Sequence, residues 1–97
     1  MKSRDEILSL IKQHQSVLAE RYGVEVVGLF GSYAREEPKP GSDIDLLVEI
    51  LRPVSLFELI GAEIYLSEIL GGKVDLIPKR DVREELKEVI LNEAVAI

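Results

Sequence analysis

The sequence predicts an α/β fold with a small mixed sheet flanked by helices. Three observations carry this. Helical apolar periodicity opens the chain, short branched-chain runs bounded by Gly or Pro follow it, and the two kinds of segment alternate to the C-terminus. The order read from the sequence is α-β-(short α)-β-α-β-α. At 97 residues, 46% of them hydrophobic, one core and one domain over residues 1–97 are expected.

Ile7, Leu10, Ile11, His14, Val17, Leu18 and Tyr22 recur at three-to-four spacing, which predicts an amphipathic helix over residues 4–22. Ser3 with Glu6 forms a capping-box signature at its start, and Gly23 supplies a left-handed stop. The same start signal recurs at Ser55 with Glu58 and at Asp81 with Glu84, predicting helices over 55–70 and 82–94. Strands are predicted at Val24 to Phe30, Ile44 to Ile50 and Lys73 to Ile77. A fragment of helix is expected at Ser32 to Glu36. After it, Glu36-Glu37-Pro38-Lys39-Pro40-Gly41 reads as a loop, because two prolines and a glycine do not continue a helix.

Composition excludes several classes of function. No cysteine is present, which removes disulfides, thiolate catalysis and Cys-ligated zinc, and His14 is the sole histidine. A net charge of −6 disfavours nucleic acid as the main partner, since that binding leans on Lys and Arg. No apolar run approaches the roughly 20 residues of a membrane span, and no secretory signal precedes the first helix, so a soluble, cytoplasmic protein is expected.

The residues that suggest chemistry are few. Strand Val24 to Phe30 ends at Gly31-Ser32, where a turn into a helical segment leaves backbone N–H groups to bind an anion such as phosphate. The plainer alternative is a strand-to-helix turn with Ser32 as N-cap. Asp43 and Asp45 are separated by one residue at a strand entry, so both project from one face with Cα atoms roughly 6.6 Å apart. Such carboxylates repel unless a cation lies between them, and Mg²⁺ prefers oxygen ligands. Asp75 lies in Val74-Asp75-Leu76-Ile77, where apolar neighbours would bury most of it. Two readings are open for it. It joins Asp43 and Asp45 if the third strand pairs beside the second, or it forms a structural ion pair with Lys73 or Lys79.

Gly31-Ser32-Tyr33-Ala34-Arg35, followed by Ser42-Asp43-Ile44-Asp45-Leu46-Leu47-Val48-Glu49, resembles the minimal nucleotidyltransferases of prokaryotes. These are the small branch of the DNA polymerase β nucleotidyltransferase superfamily. The resemblance covers nearly the whole chain and implies the polymerase β-type fold. It further implies that Gly31 and Ser32 hold the triphosphate of ATP, that Arg35 reaches phosphate, and that Asp43 and Asp45 ligate Mg²⁺. Asp75 becomes the third acid, as metal ligand or base. The pattern departs at Glu36, where many relatives carry glycine; an acid so close to the turn opposes tight ATP binding. The acceptor implied is a hydroxyl, commonly a tyrosine, on a HEPN-domain toxin that AMP transfer switches off, the small chain being the antitoxin. A non-catalytic antitoxin that works by contact alone is the alternative. The sequence leaves homo-oligomerisation open.

Overall fold

The computed structural model describes residues 2–97. Helix α1 (Arg4–Val17) leads through a widened π-helical turn (Leu18–Tyr22) into strand β1 (Val24–Phe30), and β2 (Ile44–Ile50) follows the 31–43 loop. Helix α2 (Leu56–Leu70), strand β3 (Val74–Pro78), a single 3₁₀ turn (Lys79–Asp81), helix α3 (Glu84–Glu93) and a two-residue strand β4 (Val95–Ala96) complete the chain. The sheet is mixed, as expected, in the order β3-β2-β1-β4. β2 runs parallel to β3, and β1 is antiparallel to both β2 and β4.

Two of the three helix starts follow the local chemistry. Ser3 Oγ accepts from the Glu6 N–H at 3.2 Å and Ser55 Oγ from the Glu58 N–H at 3.1 Å, while each glutamate returns a bond to the cap's own N–H. Gly23 closes the π-helical turn that continues α1, and Gly71 closes α2, at φ 67° and 73°. The third start is displaced. Asp81 lies inside the 3₁₀ turn, 3.9 Å from Arg80 Nε, and Val82 is extended, so α3 begins at Glu84 without a side-chain cap. The expected helical fragment at Ser32 to Glu36 is a run of hydrogen-bonded turns instead, closed by Glu36 at φ 57°.

Alternation along the strands divides the sheet into two unlike faces. Val24, Val26, Leu29, Ile44, Leu46, Val48, Val74 and Leu76 pack with Ile7, Ile11 and Leu18 of the first helix and Ala62, Leu66 and Leu70 of α2 into one core. Asp45, Leu47 and Glu49 point to the other face. There Leu47 is buried yet lies outside that core cluster, beneath Val82, Lys87 and Ile90 of the α3 region.

Side chains of the first two helices also satisfy strand backbone. The Gln15 side chain spans Val26, donating to its carbonyl at 2.7 Å and accepting from its N–H at 3.1 Å, next to the β-bulge between Val26 and Gly28. His14 Nδ1 lies 2.8 Å from the Tyr65 hydroxyl, tying α1 to α2. At the sheet edge, Ser67 Oγ and Glu63 Oε1 accept from the Val74 and Leu76 N–H groups at 3.2 and 3.3 Å. This blunts an edge that could otherwise recruit a foreign strand. The outer surface of α2 is left uncovered: Leu56, Phe57, Ile60 and Ile64 are exposed, Phe57 by 86%.

Candidate functional site

Register decides which acids meet. Asp45 and Asp75 are direct partners across the parallel β2–β3 pair, so their side chains leave the sheet on the same face. Asp43 stands two residues before Asp45, at the entry to β2, where alternation gives it that face too. Lys73 Nζ lies 3.9 Å from Asp43 Oδ2. Lys73, one of the two lysines considered as a partner for Asp75, is thus turned to Asp43. Asp75 is exposed rather than mostly buried, in keeping with the place of β3 at the sheet edge.

Electrostatics tie the three together. The Asp45 carboxyl is pushed above its ordinary value, first by burial and then by the negative charges of Asp75 and Asp43; Arg35 opposes the rise. Arg35 therefore sits within electrostatic reach of the acids, and its Nε lies 4.0 Å from Glu37 Oε2.

The Gly31 turn meets the acids directly. Phe30 pairs with Asp45 across β1–β2, and Gly31 follows at φ 76°. A Cβ built on Gly31 would collide with Asp45 Oδ2. Only glycine satisfies both demands, the left-handed backbone and the close approach of a carboxylate. The Arg35 N–H closes on the Gly31 carbonyl at 3.2 Å and the Glu37 N–H on the Ser32 carbonyl at 2.9 Å, so the turn is internally fixed.

Sequence reasoning missed Arg4. Its guanidinium donates to the Ala34 carbonyl at 3.3 Å and lies 3.5 Å from Glu36 Oε1, lashing the 31–36 turn to the start of α1. Its Nε is buried without a hydrogen-bond partner. The available signal was a cation in the first turn of a helix, where the dipole disfavours positive charge and a compensating contact is needed. The same ion pair draws Glu36 toward α1, which reduces the opposition to anion binding expected from an acid at that position.

Among the described residues, no three carboxylate or imidazole groups enclose a metal ion by themselves. The donor set nevertheless suits a hard cation of the Mg²⁺ type, which is commonly held by one or two carboxylates plus substrate phosphates rather than by an all-protein cage. Asp45, whose proton affinity is raised by burial and by the charges of Asp75 and Asp43, lies against the Gly31 turn, which suits that arrangement.

Known proteins share this fold. The family model described as a nucleotidyltransferase domain matches residues 11–97. A candidate protein adenylyltransferase of Methanocaldococcus jannaschii is 49% identical over 82 residues, covering 84% of each chain. The protein adenylyltransferase MntA of Thermococcus cleftensis is 39% identical over 97 residues, covering 100% of this chain and 98% of its own. Among solved structures, a candidate minimal nucleotidyltransferase superposes with TM-score 0.82 at 30% identity, covering 99% and 97% of the two chains. The fold also recurs in a toxin–antitoxin structure with AMP-PNP, with TM-score 0.70, 21% identity and coverage of 98% and 72%. It recurs again in a tri-AMPylated Shewanella oneidensis HEPN toxin in complex with its MNT antitoxin, with TM-score 0.59, 19% identity and coverage of 96% and 66%. With a family model spanning most of its length and a relative matched end to end, the chain belongs to the nucleotidyltransferase domain family.

Proposed function

We propose that this chain is a Mg²⁺-dependent protein adenylyltransferase that moves AMP from ATP to a hydroxyl, a tyrosine in the first instance, of a HEPN-domain partner, and so acts as its antitoxin. The observation that carries the proposal is the register pairing of Asp45 with Asp75 beneath Gly31, with Asp43 at the strand entry. The names of the protein adenylyltransferases and the toxin–antitoxin assemblies that share this fold support it.

In this reading the acceptor oxygen attacks the α-phosphorus of ATP, a new P–O bond forms, the bond to the bridging oxygen breaks, and pyrophosphate leaves. Asp43 and Asp45 would hold Mg²⁺, which neutralises charge on the phosphates in flight. The Gly31-Ser32 turn lets the triphosphate approach the backbone, and the Ser32 hydroxyl adds a neutral donor. Arg35 balances the acids on the phosphate side. Asp75, exposed at the sheet edge, takes the acceptor proton on its carboxylate. The acceptor comes from another chain, and the uncovered apolar surface of α2 is consistent with a protein that functions in an assembly.

Intact-mass analysis of the partner after incubation with the chain, ATP and Mg²⁺ tests the proposal. Gains in whole AMP units are expected, and Asp43→Asn with Asp45→Asn should cut the rate by about 10²-fold or more in protein that stays folded. A partner that is inhibited while unmodified, equally by wild type and double variant, would establish contact alone as the mechanism.

A further inference from the structure

The carboxylates and the Gly31 turn account for phosphate and metal but leave the rest of a nucleotide without a seat. The open face of the sheet provides a place for it. Two residues beyond Asp45 on the same face, about 6.6 Å along the strand, Leu47 forms the floor of a slot of about 230 Å³ with Val82 and Ile90 as apolar walls and Lys79 and Lys87 at its rim. A second hollow of about 420 Å³ shares both lysines and adds Glu49, Ile50 and Arg80. Register places the slot on the proper side: Ile77 pairs with Leu47 as Asp75 pairs with Asp45.

Within that proposed nucleotide chemistry, we infer that the slot between Leu47 and the α3 region holds the nucleobase of the nucleoside triphosphate, with Val82 and Ile90 as its specificity-determining walls. The strand step from Asp45 to Leu47 is the scale of a ribose, so an α-phosphate at the acids and a base over Leu47 belong to one molecule. Aliphatic walls suit the faces of a flat ring, and the slot is smaller than the roughly 300–1,000 Å³ of sites that take a whole ligand, as a subsite should be. The rim offers donors from Lys79 and Lys87, and the adjoining hollow that shares both lysines adds the Glu49 carboxylate as an acceptor. Such a rim matches a base edge that carries a ring nitrogen beside an exocyclic amino group. Lys87 Nζ is also 3.0 Å from Glu84 Oε1 and Arg80 Nε 3.9 Å from Asp81 Oδ1, so the cations of this rim are partly neutralised. That favours a neutral base over a phosphate in this position.

Calorimetric titration of the full chain in Mg²⁺ separates the subsite from the phosphate site, with AMP-PNP and inorganic tripolyphosphate as probes. Wild type is expected to bind AMP-PNP the more tightly. Val82→Asp, Ile90→Asp and the slot-filling Val82→Phe should each weaken AMP-PNP by about tenfold or more, while tripolyphosphate binding stays within about twofold. Circular dichroism identifies which variants are folded, and the three substitutions, drawn from two segments, guard against the loss of any one of them. AMP-PNP affinity unchanged in the folded variants, or equal loss of both probes, would overturn the slot. Wild type that binds both probes alike overturns the slot and leaves the phosphate site standing. Wild type that binds neither overturns the nucleotide reading together with it.

Discussion

Glu36 shows how much a single backbone angle can decide. It is a non-glycine residue at φ 57°, a conformation that costs an L-residue roughly 1–2 kcal/mol. The departure expected at Glu36 thus falls at a position whose geometry asks for glycine, and Glu36 offsets part of the strain through Arg4 at 3.5 Å. Exposed ion pairs contribute little, and glycine adds unfolded-state entropy. Glu36→Gly is accordingly expected to leave stability unchanged or raise it by up to about 1 kcal/mol in urea unfolding. A loss of about 2 kcal/mol would mean that the Arg4 tether, not the backbone angle, dominates. Asp43 and Asp45 were legible at this scale because strand alternation is local and puts both on one face. The exposure of Asp75 was not, because it depends on which strand ends the sheet, and that is not written in the four residues around it.

Elements were legible where their signals are local. The capping boxes at Ser3 and Ser55 and the stops at Gly23 and Gly71 involve residues three or four apart, and the folded chain uses all of them. Asp81 carries the same signal but is overruled, since the strand it follows extends through Pro78 and the 3₁₀ turn consumes the residues a helical first turn would need. β4 has two residues and exists through its pairing with Gly28 and Leu29, a long-range contact without periodicity to announce it. The edge strand owes its protection to α2 rather than to its own sequence, because Ser67 and Glu63 reach its outward N–H groups. Ser67→Ala removes one such acceptor from a part-buried N–H and is expected to cost about 1 kcal/mol in urea unfolding. Phe57, being almost wholly exposed, is the comparison: Phe57→Ser should stay within about 0.5 kcal/mol of wild type. If the two substitutions cost the same, α2 is not guarding the edge.

At the scale of the whole molecule the sheet separates two tasks: α1 and α2 seal one face into the core, and the other carries Asp45, whose ionised form does not favour the fold. This has a pH signature. The folded-state pKa of Asp45 lies above its ordinary value of 3.8, so between that value and the folded one the native state binds more protons than the unfolded chain. Under that condition stability falls as pH rises through the window and levels off above it. Ionised Asp45 is therefore destabilising at neutral pH, and the cost disappears in acid, where both states are protonated. Glu58 works in the opposite sense. Its lowered pKa, from hydrogen bonds to Arg52 and Ser55, gives stability that is lost as pH falls, so wild type alone does not isolate the effect. Comparison with Asp45→Asn does, because Glu58 is common to both proteins. The variant is expected to be the more stable at pH 7 without divalent metal, with the gap closing as pH is lowered toward 4. Mg²⁺ should stabilise wild type at pH 7 and leave the variant nearly unmoved, since a ligand that binds only the native state stabilises it by RT ln(1 + [L]/Kd). Urea unfolding at the two pH values, with Mg²⁺ or with NaCl at matched ionic strength, measures each term. A gap independent of pH, or an Asp45→Asn protein less stable than wild type at pH 7, would remove the open-face carboxylates as the source of the cost. Equal responses to Mg²⁺ and NaCl would leave charge screening in place of a bound cation.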